Sequence, residues 1–180
     1  MGKVLLDMAM SLDGFAADRN RQALYPIHEL RNTPALDDII KTAGAAVMGK
    51  QAYDMAEGDF TDYEYQVPIF VLTHDIPEHV AKGQNGRLRF TFVTEGIENA
   101  VAQAKAAAGN KNVTVIGGVD TARQCIKAGL LDEILIRRLP ILLGEGLLLF
   151  DDAGPNPMQP EPMRATESPG ITHLRLRVVK

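Results

Sequence analysis

Val113-Thr-Val-Ile116 runs directly into Gly117-Gly118 and from there into a segment of helical spacing, an order that leaves few architectures open. A β-branched run of this kind makes a buried strand. The two glycines can take backbone conformations closed to other residues, and they leave bare N–H groups that a ligand can approach closely. A helix starting just beyond them presents unpaired donors and a partial positive charge, which suits a phosphate. Strand, glycine pair and helix suit a phosphate seat, although a glycine pair after a strand is by itself more often just a tight turn.

The same alternation recurs along the chain. Val4 to Met10 is apolar except for Asp7, as expected of a strand covered on both faces, and Ser11-Leu-Asp13-Gly14 closes it in turn chemistry. Ala17 to Asn32 reads as a long loop with at most a short helix. Thr33-Pro34 opens a helix with Asp37 and Asp38 at its positive end and Leu36, Ile39, Ile40 and Ala43 as its apolar stripe, stopped by Gly44. Ala45 to Met48 reads as a second strand, running into Gly49-Lys50-Gln51. Ile69 to Thr73 and Arg89 to Thr94 read as the third and fourth. Ile97, Ala100, Val101, Ala104, Ala107 and Ala108 keep helical spacing up to Gly109-Asn110. The helix after the glycine pair carries Val119, Ala122, Cys125 and Ile126 and ends at Gly129, and Glu133 to Leu139 is a sixth strand stopped by Pro140. Asp151 to Pro162, with four prolines, reads as an extended loop. Met163 to Glu167 and His173 to Val179, joined across Pro169-Gly170, complete the set as a hairpin.

The expected fold is α/β in three layers: a mostly parallel eight-stranded sheet, helices on both faces and a C-terminal antiparallel hairpin, all in a single domain over residues 1–180. In such sheets ligands bind beyond the carboxyl ends of the strands. Ser11 to Gly14, Gly49-Lys50, Thr73-His74 and Gly117-Gly118 all fall on that edge, so their convergence says more than any one of them.

Composition narrows the classes. A net charge of −4 with no lysine- or arginine-rich block argues against nucleic acid as a partner. The single cysteine, Cys125, excludes an intrachain disulfide and a multi-cysteine zinc site, and the four histidines show no metal-ligand spacing, so no metal is expected. No apolar run approaches the ~20 residues that span a bilayer, and Val4 to Met10 lacks a signal-peptide layout. The expectation is a cytoplasmic protein without a membrane partner.

Six pieces cover nearly the whole chain in order: Met10-Ser-Leu-Asp-Gly14, Val47-Met-Gly-Lys50 with Tyr53 after it, Val71-Leu-Thr-His74, Val115-Ile-Gly-Gly118, Ala128-Gly-Leu-Leu-Asp-Glu133, and Pro140-Ile-Leu-Leu-Gly-Glu-Gly146 running to Leu149-Phe150. At these residues the chain resembles the dihydrofolate reductase-like superfamily. Within it the chain is most similar to the reductase domain of riboflavin biosynthesis (the C-terminal domain of the bifunctional deaminase-reductase) and its stand-alone relatives. The resemblance implies NADPH as the hydride donor. Carried over residue by residue, it implies that Gly49, Lys50 and Gln51 line the adenosine-phosphate side, with Thr73 and His74 at the adjacent loop. Gly117, Gly118, Val119, Asp120 and Thr121 would hold the pyrophosphate. Lys50 could attract the extra phosphate that separates NADPH from NADH; Asp120, a carboxylate near a phosphate, reads better as a helix cap facing away.

Ser11 and Asp13 stand where the family places the loop over nicotinamide and substrate, and Asp13 equally suits a turn residue bonding its own backbone. Asp13 and Asp37 are the candidate proton donors, with water as the alternative. Ile116 stands before the glycine pair, as in dihydrofolate reductases, where riboflavin-pathway reductases carry an acid, and the zinc deaminase pattern is absent. The expected activity is NADPH-dependent reduction of a C=N or C=O carbon in a small pteridine or ribosylamino-pyrimidine-like substrate. The alternative is a non-catalytic nucleotide-binding or sensory dimer. Arg21 and Arg31 are the lid arginines a phosphorylated substrate would need, and the arginines at 137 and 138 raise a homodimer contact.

Overall fold

The structure is a computed structural model that describes residues 2–24, 33–151 and 158–179. Ten strands and four helices run in the order β1 (Val4–Met10), β2 (Phe15–Ala17), α1 (Pro34–Thr42), β3 (Ala43–Gly49), α2 (Lys50–Asp54), β4 (Ile69–Leu72), β5 (Phe90–Val93), α3 (Ile97–Ala108), β6 (Asn112–Val115), α4 (Val119–Lys127), β7 (Glu133–Arg138), β8 (Leu147–Leu148), β9 (Glu161–Ser168) and β10 (Ile171–Arg177) among the described residues. Eight of the strands form the expected sheet, in the order β5-β4-β3-β6-β1-β7-β10-β9. All its pairings are parallel except those of β10, which runs antiparallel to both β7 and β9.

The central strands are mostly apolar on both faces because both faces are covered. Val4, Leu6, Met8, Val47, Val115, Ile134 and Ile136 pack with α3 and α4 on one side. On the other, Leu5 and Leu135 meet Leu36 and Ile39 of α1, while Phe60 from the segment before β4 and Ala81 and Leu88 from the connection after it cover Met48 and Val71. Each such fully buried Leu, Ile or Phe stabilises the fold by about 1.5–3 kcal/mol.

The helix ends follow local chemistry. Thr33 caps α1, its Oγ1 accepting the Leu36 N–H at 3.3 Å, with Pro34 in the first turn. Gly129, at φ 63°, ends α4 while Leu130 N–H reaches back to the Cys125 carbonyl. Gly44 does not stop α1 as expected. The helix ends at Thr42 and passes without a loop into β3, where a Cβ on Gly44 would lie 2.6 Å from Lys111 Cβ and 2.9 Å from Ala108. This glycine is there so that the end of α3 can sit against the strand.

Three further elements escape the pattern reading. The short α2 continues straight from Gly49, and β2 and β8 pair as a separate two-stranded ribbon. β9 begins at Glu161, inside the expected extended loop. Among the described residues no helix is long and apolar enough to cross a membrane.

β1 and β6, side by side in the middle of the sheet, send their connections opposite ways. The chain from β1 passes through α1 to β3, and the chain from β6 passes through α4 to β7. Their carboxyl ends therefore frame a crevice of the kind open α/β sheets use for ligands.

Candidate active-site cleft

A cleft of about 450 Å3 opens at that crevice. Its floor is Asp7, Met8 and Ala9 of β1 with Arg137 of β7. One wall is Ile116 to Val119, and α2 with the segment from Met55 to Glu64 closes the far side. Ala16, Ala17 and Leu147 of the small ribbon and Arg21 of the turn beyond it complete the rim.

The glycine wall is built by close approach. Gly49 N–H donates to the Gly117 carbonyl at 3.0 Å, which ties the ends of β3 and β6 together. A Cβ on Gly117 would stand 2.8 Å from Ala52 Cβ. One on Gly118, whose φ is 87°, would stand 2.9 Å from Thr121 Oγ1 and 3.1 Å from Gly49 Cα. Gly118 gives α4 no side-chain cap, so the first-turn N–H groups of the helix have no side-chain acceptor.

Of the residues expected to hold the cofactor, Gln51, Gly117, Gly118 and Val119 line the cleft. Gly49 and the buried Thr121 lie directly behind the glycine wall. Asp120 is exposed at the start of α4, 3.6 Å from Arg21 and 3.8 Å from Arg123, and Arg21 also donates to Gln51 Oε1 at 3.1 Å. Lys50 is held by Asp54 one turn along α2, at 2.5 and 2.7 Å. Thr73 closes a tight turn with Asp75, and the exposed His74 beside it does not border the cleft. Arg31 lies outside the described residues.

The two candidate acids are placed away from the chemistry expected of them. Asp13 accepts from Gly144 N–H at 2.7 Å, from Leu143 N–H at 3.1 Å and from Ser11 Oγ at 2.7 Å, and Ser11 Oγ accepts Phe15 N–H in turn. The Gly144 amide, then the Ser11 hydroxyl, hold its carboxyl at about 2, so it stays ionised and pins the loop after β7. Asp37 projects outward from α1 while Leu36 and Ile39 turn in, and it lines none of the cleft. The helical period that buries its neighbours exposes it.

The residues the sequence reading missed are on the floor. Asp7, 1% exposed, takes the Tyr65 hydroxyl on Oδ2 at 2.8 Å and lies 3.1 Å from Arg137 Nε through Oδ1. Burial first, and then the Asp7 charge, push the Tyr65 hydroxyl well above its ordinary value. Two charges inside adjoining apolar strands, an acid in β1 and a base in β7, were the visible signal. Because Arg137 is engaged inside the sheet, it no longer supplies a reason for a subunit contact.

The family model for the RibD C-terminal domain matches residues 2–174. Among curated relatives, the uncharacterized Bacillus subtilis (strain 168) protein YwjB is 25% identical over 156 residues, 83% of each chain. YyaP of the same organism, also uncharacterized, is 24% identical over 156 residues, 83% of this chain and 81% of that one. The solved structure of a putative riboflavin biosynthesis protein from Shewanella sp. PV-4 superposes with a TM-score of 0.78 at 24% identity, over 99% of both chains. A diaminohydroxyphosphoribosylaminopyrimidine deaminase/5-amino-6-(5-phosphoribosylamino)uracil reductase from Thermotoga maritima gives 0.75 at 14% identity, over 99% of this chain and 57% of that one. The structural likenesses establish a shared fold, and the family model spans almost all of the sequence: the chain belongs to the RibD C-terminal domain family.

Proposed function

We propose that the protein is an NADPH-dependent reductase acting on a C=N or C=O carbon of a small heterocycle of the pyrimidine or pteridine kind. One observation carries the reading: the uncapped start of α4, fronted by Gly117-Gly118, opens into a cleft at the carboxyl edge of a parallel sheet. The residues present fit a dinucleotide. A Cβ at 117 or 118 would strike Ala52 or Thr121, so bare backbone is what the cleft offers there. Membership in a riboflavin-pathway domain family supports the pyrimidine side.

Bound at this wall, a reduced nicotinamide supplies the hydride, and the protein positions the reactants and excludes water. The backbone N–H groups at the start of α4 receive phosphate oxygens. Arg21, stretched between Gln51 and Asp120, is a cation able to turn to an anion arriving at the same helix end. Lys50 serves the extra phosphate of NADPH once released from Asp54. The completing proton comes from water, since Asp13 is held ionised and Asp37 stands off the cleft.

Titration with NADPH and NADH tests this. The protein should prefer NADPH, Lys50→Ala should narrow the preference and Asp54→Asn should widen it; failure to bind either nucleotide would refute the proposal. Parallel NADPH oxidation assays with dihydrofolate and the ribosylamino-pyrimidine then separate the substrates. The placement of Asp13 and Asp37 favours one second reading, a non-catalytic nucleotide-binding protein. NADPH binding without oxidation across a substrate panel would favour it.

A further inference from the structure

Arg137 and Asp7 belong to neighbouring strands in a register that sets Leu135 beside Asp7 and Arg137 beside Ala9, so both side chains rise from the same sheet face at its carboxyl edge. The Asp7 side chain is fully buried, and that of Arg137 is 12% exposed, toward the cleft. A buried ion pair gains little over well-packed apolar side chains of the same size, so its presence in an otherwise apolar floor needs a reason beyond stability.

The geometry leaves the pair incomplete. Arg137 Nε is at ion-pair distance from Asp7 Oδ1, but neither atom makes an aligned hydrogen bond. Asp7 Oδ2 is spent on the Tyr65 hydroxyl. Arg137 Nε has no hydrogen-bond partner and the side chain borders the cleft, so a guanidinium lies at the cleft floor with that donor unspent. The nearby His173, beside Arg137 on β10, is driven toward its neutral form by burial first and then by Arg137 itself. With Asp7 offsetting the charge, the floor presents directional donors more than a net positive field.

We propose that Arg137 is the specificity-determining residue of the cleft: its guanidinium donors take the ring carbonyl oxygens along one edge of a planar heterocyclic ligand. Asp7 and Tyr65 are positioning residues that hold the guanidinium in place. A ligand that carries amino groups in place of those carbonyls sets donors against donors there, and the site rejects it on that ground. The inference rests on the reductase reading for its place in a reaction, but the recognition itself needs no nucleotide.

The probes are 5,6-diaminouracil, which carries two ring carbonyls, and 2,4,5,6-tetraaminopyrimidine, which carries amino groups in their place. Each is titrated calorimetrically into the protein with and without NADP+. Wild type should bind the dione and discriminate against the tetraamine by about tenfold or more. Arg137→Met strands the Asp7 carboxylate and threatens folding, so the double variant Asp7→Leu/Arg137→Met, which removes both charges, carries the test. It should melt as a folded protein, bind NADP+ within about twofold of wild type, and lose the discrimination; about tenfold is the loss expected for one charged hydrogen-bonding group. Arg137→Lys should restore part of it. Tyr65→Phe should weaken the dione preference while nucleotide affinity holds.

A double variant that folds and still prefers the dione as wild type does would overturn the assignment, as would a wild-type protein that does not distinguish the two probes. Dione selection without nucleotide binding would leave Arg137 in its role and remove the reductase reading, so the two failures are distinguishable.

Discussion

Gly118→Ala is the sharpest perturbation of the cleft wall. Two effects act in the folded state. An L-residue at φ 87° meets the left-handed steric penalty, about 1–2 kcal/mol. The new Cβ also comes within 2.9 Å of Thr121 Oγ1 and 3.1 Å of Gly49 Cα, and the second of these is backbone that cannot rotate away. Overpacking of that kind costs about 1–3 kcal/mol. The unfolded chain loses freedom when glycine becomes alanine, which returns about 0.4–1 kcal/mol. The net expected loss is about 3 kcal/mol, or a melting point lower by about 6–12 °C for a chain of this size. Gly129 is the internal control: its φ is 63°, but nothing lies within 4 Å of its Cβ position, so Gly129→Ala should cost only about 1 kcal/mol. Urea unfolding of both variants, with slopes compared to confirm two-state behaviour, measures the difference. Equal losses would mean that the crowding of Gly49 against Gly118 does not exist in solution, and the backbone-only phosphate seat would fall with it.

Burial depresses His173 below 6.5, with Arg137 adding to the effect, so the unfolded chain takes up its proton first and stability should fall as pH drops below 6.5. His173→Gln should flatten the urea midpoint over that range, where one group can contribute at most ~1.4 kcal/mol per pH unit. Asp13, lowered from 3.8 to about 2, contributes stability that is complete above 3.8 and lost as pH falls toward 2. Asp13→Asn should remove that acid limb and speed hydrogen exchange at the Leu143 and Gly144 amides. Burial pushes the Cys125 thiol up to about 12, so a thiol reagent at neutral pH should label it only at the rate of unfolding; prompt labelling would contradict its place on the buried face of α4.

What the sequence discloses depends on how many residues vote. The eight sheet strands and the helices after Thr33, Gly96 and Gly118 each carry a period repeated over several residues, and each is found close to where that period puts it. β2 and β8 have three and two residues, too few for a period, and exist because Phe15 and Leu148 meet across the ribbon. Gly44 was legible as a glycine but not as a contact, since the reason for it, Lys111 and Ala108, lies over sixty residues away. In sequence Glu133 is only the first residue of a strand, and in the fold it is buried because Lys3 and Arg175 reach it from the start of β1 and from β10 at 2.5 and 2.7 Å. The glycine wall was readable because backbone conformation is written locally in glycine. The floor was not, because it is a relation between strands.

That floor shares its sheet face with a second buried charge cluster, and comparing the two separates architecture from recognition. At the amino end of the face, Glu133 is answered by both Lys3 and Arg175, and Arg175 goes on to Asp38 at 3.1 Å on α1. Burial alone would raise the Glu133 carboxyl, but the two cations more than offset it and hold it below its ordinary value. Every strong group there has a protein partner, and the cluster fastens α1 and the hairpin to the sheet. At the carboxyl end Asp7 and Arg137 repeat the same chemistry, but the carboxylate is divided between Tyr65 and a misaligned guanidinium, and neither Asp7 Oδ1 nor Arg137 Nε has a hydrogen-bond partner. A fold that satisfies one buried charge cluster fully has the means to satisfy the other. Leaving the second incomplete where the strands end is the arrangement expected when the missing partner is a ligand.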